Sequence, residues 1–429
     1  MMRERVRQGS KATMARVRRH NPDYKIMMYT TVLFVIGLII IFAIGPQRAN
    51  LINESFGSDL SGMHFVVKQA VSVLVAVVAF FFFAFILKVE TLLQWRNVIL
   101  WVAFGLCGLL VVFGNIANVE SVTQCALGAC RWFVIPGLGT FQPSEVLKFA
   151  VVIFLAGYLA VRMKKGVVSD WHKTIYPVGA LMVMSALFVV VFQKDLGTGM
   201  ALFAIVASML VVAGLKPKVG AVLLAILIVA GLLLVVSAPH RIDRMMTFLQ
   251  GDTASVDDAS GYHIAHAKIA IGSGGVLGVG IGNSVQAAGY LPEAINDSVF
   301  AILGETFGFV GLVFILLMFY MLLRKILNLI DRLESPEYKL IVAGVFGWIG
   351  AHVIINVAAM TGLIPLTGIT LPFLSIGGTS MVIITAALGV VFQISRYTVH
   401  GKITEESYES TRSRRGIGRP RYASNRRSR

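Results

Sequence analysis

Three carboxylates, Glu293, Asp297 and Glu305, crowd the stretch LPEAINDSVFAILGE, which begins with turn residues and ends inside a long apolar run. Asn296, Asp297 and Ser298 are all side chains that cap free amides at a helix start, and a carboxylate in that place can also take a proton from a hydroxyl held against it. Both readings stay open on position alone. Glu305 lies about two helical turns beyond Asp297, near the same face, and an acid inside an apolar span calls for a polar partner or a pathway.

Other segments carry polar residues of the same kind. Glu145 and Lys148 in QPSEVLK are spaced to pair on one helical face, with Ser144 placed to cap and Gln142 just ahead. QKDLGTG offers Lys194 and Asp195, and GACRWF offers Arg131. Lys68 sits within an apolar run, where an ammonium snorkels to the interface or meets an anionic ligand. His263 and His266 form H-x-x-H without the Glu of H-E-x-x-H, and so read as a helix face rather than a metal site. Asp252, Asp257 and Asp258 read as a solvated loop, and His352 as a buried, hydrogen-bonded packing residue.

The elements that must position these groups are membrane helices. Hydrophobic residues make up 56% of the 429 and charged residues 14%, outside the balance of a soluble domain. Alternating strands of the outer-membrane barrel type are absent. Apolar runs of span length fall at roughly 27–45, 64–87, 97–114, 145–162, 175–192, 198–214, 219–237, 298–322, 340–360 and 375–395. The expected fold is therefore an all-α integral membrane protein of ten transmembrane helices. It comprises a basic tail (1–26), a membrane domain (27–395) and a second basic, disordered tail (396–429). The first apolar run comes late and is long, so it is expected to stay as a span rather than be cleaved as a signal.

Charge sets the orientation. All but eight of the 38 Lys and Arg lie in the tails or in the connections that share a side with them; the exceptions are Arg48, Lys68, Arg131, Lys148, Lys194, Arg241, Arg244 and Lys268. The positive-inside rule then puts both termini in the cytoplasm, and the net charge of +16 reads as a topology and lipid-headgroup determinant rather than a nucleic-acid surface. The two long connections, 115–144 and the large loop 237–297 between helices 7 and 8, fall outside the cell membrane, where length without obvious order suits function. YHIAHAKIAIGSGG in the second suits a short helix at the outer leaflet. Cys125 and Cys130 share the first, leaving a small disulfide open. No internal repeat of the transporter type divides the spans. The polar segments 128–148, 193–199, 291–305 and 364–380 all fall at outer helix mouths and are expected to line one cavity.

Those same segments carry a resemblance. QPSEVLK, QKDLGTG, GSGGVLGVGIGNSVQAAGYLPEAINDSVFAILGE and PLTGITLPFLSIGG resemble the signature segments of the SEDS family (shape, elongation, division and sporulation), in the family's order, from the first span to about Tyr397. GNSVQ followed by YLPEA is more similar to its division branch than to its elongation branch. The chain departs from the family pattern at Lys194, Thr306, Phe307 and Ile376, and around the acid at Ile295, Asn296 and Ser298.

The resemblance implies a peptidoglycan glycosyltransferase of the bacterial cytoplasmic membrane, at the division septum, that polymerises lipid II at the outer face. It also implies a class B penicillin-binding protein as transpeptidase partner, together with other division proteins. The family's essential acid maps onto Asp297, the expected catalytic base. Lys68, Arg131, Lys148 and Lys194 are expected to hold pyrophosphate, with Glu145 orienting a lysine and Gln142, Ser144, Asp195, Glu293 and Glu305 completing the substrate-binding set. No metal ligands are assigned, although a divalent cation, Mg or Mn, is left open. The rival readings are a lipid-precursor flippase or transporter and, less well matched, a scaffold acting through its tails.

Overall fold

The computed structural model describes residues 21–398 except 120, 127–128, 136–138 and most of 237–258. Both basic tails beyond those limits, Arg241, Arg244 and the acids Asp252, Asp257 and Asp258 lie outside the described residues.

Each expected apolar run forms a helix, because in hydrocarbon every backbone N–H and C=O must be satisfied within its own segment. Among the described residues, eight helical spans are long and apolar enough to cross a membrane. They are built on α1 (Tyr24–Phe56), α2 (His64–Phe81), α4 (Arg96–Leu110), α5 (Pro143–Lys164), α6 (Tyr176–Ala186), α10 (Val299–Arg332), α11 (Pro336–Met360) and α12 (Thr379–Ile394). A short α3 (Val89–Gln94) precedes α4, and the π-turns Phe82–Ile86, Val111–Ile116, Trp171–Ile175 and Leu187–Phe192 extend α2, α4 and α6. Two further apolar helices are α7 (Leu196–Val212) and α8 (Pro217–Val236).

Helix ends differ from the apolar runs where polar residues continue the helix. α1 runs on through polar residues to Phe56 and stops at Gly57, whose left-handed φ of 62° lets its N–H reach the Asn53 carbonyl at 2.9 Å, a terminus suited to glycine. α10 continues to Arg332, and Ser335 then caps the Tyr338 amide at the start of α11, with Pro336 in the first turn.

α5, α11 and α12 form the centre, with 67%, 72% and 72% of their apolar windows buried. The spans of α2, α4 and α6, at 22%, 33% and 28%, present most of their apolar surface outward. Lys325–Asp23 (3.0 Å), Lys164–Glu337 (2.8 Å) and Tyr338–Glu90 (2.7 Å) tie the elements together at one end of the bundle.

The other end holds an antiparallel sheet that an all-α expectation did not contain: β1 (Thr123–Ala126), β2 (Ala129–Ile135) and β3 (Gly139–Phe141), in the order β1-β2-β3. β1 and β3, of four and three residues, are too short to show alternation, and β2, ACRWFVI, is apolar almost throughout and does not alternate. Cys125 faces Cys130 across β1 and β2, and the two form a disulfide, which closes the pairing left open above.

Two departures from helix prepare the site. The segment after α11 re-enters the bundle, where Phe373, 1% exposed with φ 67°, packs edge-on to Phe34 (5.5 Å) and stacks on Phe319 (6.4 Å). A Cβ on Gly37 would lie 2.7 Å from the Phe373 carbonyl, so the close approach of α1 to this loop requires glycine.

The second departure is in α10, broken at Gly308 (φ 66°, ψ −167°). The glycine-rich run after α9 (Ala259–Ser273) fills the break: Val279 and Gly280 amides donate to the Glu305 and Thr306 carbonyls at 2.9 and 3.1 Å, and Phe309 and Val310 amides donate to Gly275 and Val276 at 2.9 and 3.1 Å. Freed backbone groups are thereby satisfied by a neighbouring chain.

Gly278 lies at that junction with φ +85°, and a Cβ there would stand 2.2 Å from the Thr306 carbonyl oxygen. Gly278→Ala is expected to abolish recovery of a monodisperse, folded protein from detergent. Gly280→Ala, with φ +91° but Asn283 Nδ2 no nearer than 3.5 Å, is expected to cost only about 1–2 kcal/mol for the left-handed backbone. Equal yields and equal thermal stabilities of the two variants would contradict the interlock.

Candidate functional site

The re-entrant loop 364–378 gathers the polar segments. Its buried backbone groups need partners, and these come from α11, from α2, from the turn before α10 and from the loop itself. Ile369 O accepts from Asn356 Nδ2 at 2.7 Å, Thr370 O meets His352 Nδ1 at 3.3 Å, and Ser375 O accepts from Gln69 Nε2 at 3.5 Å. The Leu371 amide donates to Ser375 Oγ (3.0 Å) and the Ile376 amide to Ile295 O (3.0 Å).

Asp297 is held from its backbone. Asn356 Nδ2 also donates to the Asp297 carbonyl at 2.7 Å, so one α11 amide grips both the loop and the candidate base. Ahead of it, Glu293 adopts φ 50° and its carbonyl accepts from the Asn296 and Ser298 amides at 2.9 and 3.2 Å, while its carboxylate accepts from Asn296 Nδ2. Ser298, not Asp297, is the N-cap residue of α10, and it makes no side-chain cap. Its Oγ donates instead to Pro292 O (2.8 Å) and so accepts from His263 Nε2 (2.6 Å). The H-x-x-H pair thus serves α9's packing: His266 meets Gln286 Oε1 at 2.7 Å. Asp297 itself is 9% exposed.

Glu145 and Lys148 form the expected pair at 2.8 Å, but far from the surface: Lys148 is 0% and Glu145 3% exposed. Lys148 Nζ also meets His352 Nε2 at 3.1 Å and lies 5.0 Å from the Trp348 ring centre, a cation–π contact. Gln142, not Ser144, occupies the α5 N-cap position. Among the described residues, Ser144 Oγ and Glu145 Oε2 are buried without a hydrogen-bond partner.

Gln142 joins three elements. Its Nε2 donates to Asp195 Oδ2 at 3.2 Å and its amide to Thr379 Oγ1 at 3.3 Å, whose hydroxyl donates to Thr140 O at 2.8 Å. Asp195 caps α7 through the Thr198 amide (2.9 Å) and hydroxyl (2.8 Å). Arg131 Nε and Nη2 donate to the Gln193 and Lys194 carbonyls at 3.0 and 2.9 Å, propping up that turn from β2. Lys194, with φ 51°, and Lys68 are exposed.

Glu305 does not join the group. Its carboxylate accepts from the Val285 (2.9 Å) and Gln286 (3.2 Å) amides and from Ser284 Oγ, holding the turn before Leu291. Glu305→Ala would leave those buried donors unpaired, at about 2–4 kcal/mol; thermal unfolding in detergent should show the drop, and an unchanged midpoint would refute the anchoring role.

Sequence reasoning did not single out Gln69, Asn356 or Ser375. Gln69 in α2 and Asn356 in α11 are polar residues within apolar runs, the signal that pointed to Glu305. Among the described residues no three His, Cys, Asp or Glu side chains converge as metal ligands. That donor set does not fit a cation cage made of protein alone.

The fold and site define a polytopic membrane protein whose polar chemistry collects at one end of the bundle, around a re-entrant loop. This chain belongs to the FtsW/RodA/SpoVE family of cell cycle proteins, whose family model matches residues 24–400. It is 33% identical over 386 residues to stage V sporulation protein E of Bacillus subtilis (strain 168), covering 88% of this chain and 98% of that protein. It is 31% identical over 379 residues to a protein of Nitrosomonas europaea named as a probable peptidoglycan glycosyltransferase FtsW, covering 87% and 93%. The fold is similar to that of the rod shape determining protein RodA of Thermus thermophilus, with TM-score 0.58, 22% identity and 89% and 98% coverage. It is also similar to a chain in a structure describing how a peptidoglycan synthase complex coordinates polymerization and crosslinking, with TM-score 0.67, 21% identity and 87% and 98% coverage.

Proposed function

We propose that this chain is a peptidoglycan glycosyltransferase that polymerises lipid II, the undecaprenyl-pyrophosphate-linked disaccharide peptide, by inverting transfer at the outer face of the cytoplasmic membrane. The observation that carries the reading is that three groups converge around one re-entrant loop: the Asp297 turn is tied to it through Asn356, the Glu145–Lys148 pair reaches it through His352, and the Gln142–Asp195 contact joins Thr379 immediately after it. Relatives named as probable peptidoglycan glycosyltransferases support the reaction class.

In the proposed step the acceptor sugar's 4-hydroxyl oxygen attacks the donor's anomeric carbon from the face opposite the pyrophosphate. The carbon–oxygen bond to pyrophosphate breaks, and Asp297 takes the hydroxyl proton. A glycosidase needs a second carboxylic acid for its leaving oxygen; lipid pyrophosphate leaves as a stable anion and needs positive charge instead. Exposed Lys68 and Lys194 can approach its oxygens directly. Arg131 acts through the turn it props, and Lys148, neutralised by Glu145 at 2.8 Å, acts by positioning the wall through His352 rather than as a free charge. No step runs through a cation; one bound by substrate pyrophosphate would be shared with it, as magnesium sites with phosphates commonly are.

The partner in this reading is a class B penicillin-binding protein, and the place of work is the division septum. The purified chain, in liposomes with that partner, is expected to convert fluorescent lipid II to long glycan strands on gels. Movement of lipid II across the bilayer without polymer would instead favour a flippase and overturn the reading.

A further inference from the structure

We propose that His352 is a positioning residue that fixes the direction of the Lys148 ammonium, and that it does so only as the neutral imidazole. This rests on the proposed function for its link to glycan synthesis, but its geometric basis is independent of it. Thr370 O can only accept, so the contact at 3.3 Å puts the imidazole proton on Nδ1 and leaves Nε2 as a lone pair facing Lys148 Nζ at 3.1 Å. The second carbonyl in that loop, Ile369 O, is gripped by Asn356, one helical turn along α11 from His352, and Asn356 also holds the Asp297 carbonyl. One face of α11 therefore sets both the cation and the candidate base against the same re-entrant loop.

The ammonium has three protons, and three neighbours account for its surroundings: Glu145 Oε1 at 2.8 Å, His352 Nε2 at 3.1 Å and the Trp348 ring centre at 5.0 Å. A proton added at Nε2 would place an N–H and a positive charge against a buried ammonium that already donates there. Lys148 would turn away and the Thr370 contact would loosen. The charged groups facing His352 from α5 are Lys148 and Glu145. The re-entrant loop, α7 and α12 contain no Asp, Glu, His, Lys or Arg, so no other charge on those elements compensates. From α9, His263 and His266 are turned to Ser298 and Gln286 and Lys268 lies against Gly362 just beyond α11; Glu305 on α10 is turned to the 284–286 turn, and Asp297, tied to α11 through its carbonyl and Asn356, is the remaining acid near this face among the described residues. A packing residue would need none of this: a leucine of similar size would fill the space.

The test compares the full chain, with its partner, against His352→Gln and His352→Leu between pH 5.5 and 8.5. Glutamine keeps an acceptor for Lys148 and a donor for Thr370, but does not titrate there. Two readouts are taken: glycan synthesis from lipid II, as separate kcat and KM, and the thermal midpoint of the purified protein. His352→Leu is expected to lower kcat about tenfold at pH 7.5 with KM changed less than twofold, and His352→Gln to restore most of it. The parent midpoint should fall on acidification, and the glutamine variant should lose that fall. A leucine variant with parental kcat, or a glutamine variant that keeps the acid-side loss, would overturn the proposal. Should the parent make no polymer, the proposed function fails, while the midpoint comparison still decides whether His352 and Lys148 are coupled.

Discussion

Asp297→Asn is expected to fold, to bind lipid II and to make no glycan strands. The substitution keeps the shape and the backbone carbonyl that Asn356 grips at 2.7 Å, and so leaves the turn from Glu293 and the α10 start in place. It removes the one property required of a base, a lone pair able to keep a proton. General-base catalysis contributes about 100- to 10,000-fold, and without it the acceptor hydroxyl must attack while still protonated. Polymerisation of purified lipid II should therefore fall by at least about 100-fold, with the thermal midpoint unchanged. Chain growth at the parental rate would remove Asp297 from the role of base.

Lys148→Met is expected to do the reverse and damage the fold first. Lys148 is fully buried against Glu145, and removing one partner of a buried pair leaves an uncompensated charge, typically at a cost of about 3–5 kcal/mol. The Glu145→Gln, Lys148→Met double variant should regain most of that stability, because two neutral side chains need no ionic partner. It should not regain activity, since the ammonium that His352 meets at 3.1 Å is gone. Thermal melts separate these outcomes: a single variant as stable as the parent would mean that the pair is not ionic. A double variant that polymerises normally would mean that its charge is dispensable.

Much of this site was legible because carboxylates and lysines in apolar sequence are conspicuous, and because four short segments resembled one family in order. Spans were legible because hydrocarbon admits few alternatives to helix. What escaped was the backbone. The loop 364–378 reads as the mouth of a span, and only its fit around Gly37 and beneath Phe34 reveals that it dips inward. The break at Gly308 was hidden within an unbroken apolar run, since its cause lies in the partner glycines Gly274 and Gly278, separated in sequence. His352 reads as a buried, hydrogen-bonded residue and is one, but that its partners are Lys148 and Thr370 does not show in the sequence, because periodicity says nothing about a neighbour on another helix. Glu305 and Asp297 share a helix face in sequence, yet they serve different turns, because the segment before α10 folds back to occupy the Glu305 carboxylate.

The proposed glycosyl transfer requires the Asp297 turn to face the side opposite the basic tails. Glu293, four residues away and exposed, reports on that turn, and the described cysteines do not interfere: Cys107 is buried and Cys125 is bonded to Cys130. Glu293→Cys in intact cells should react with a membrane-impermeant maleimide without permeabilisation. Reaction only after the membrane is opened would put the turn in the cytoplasm and contradict the proposed chemistry at its root.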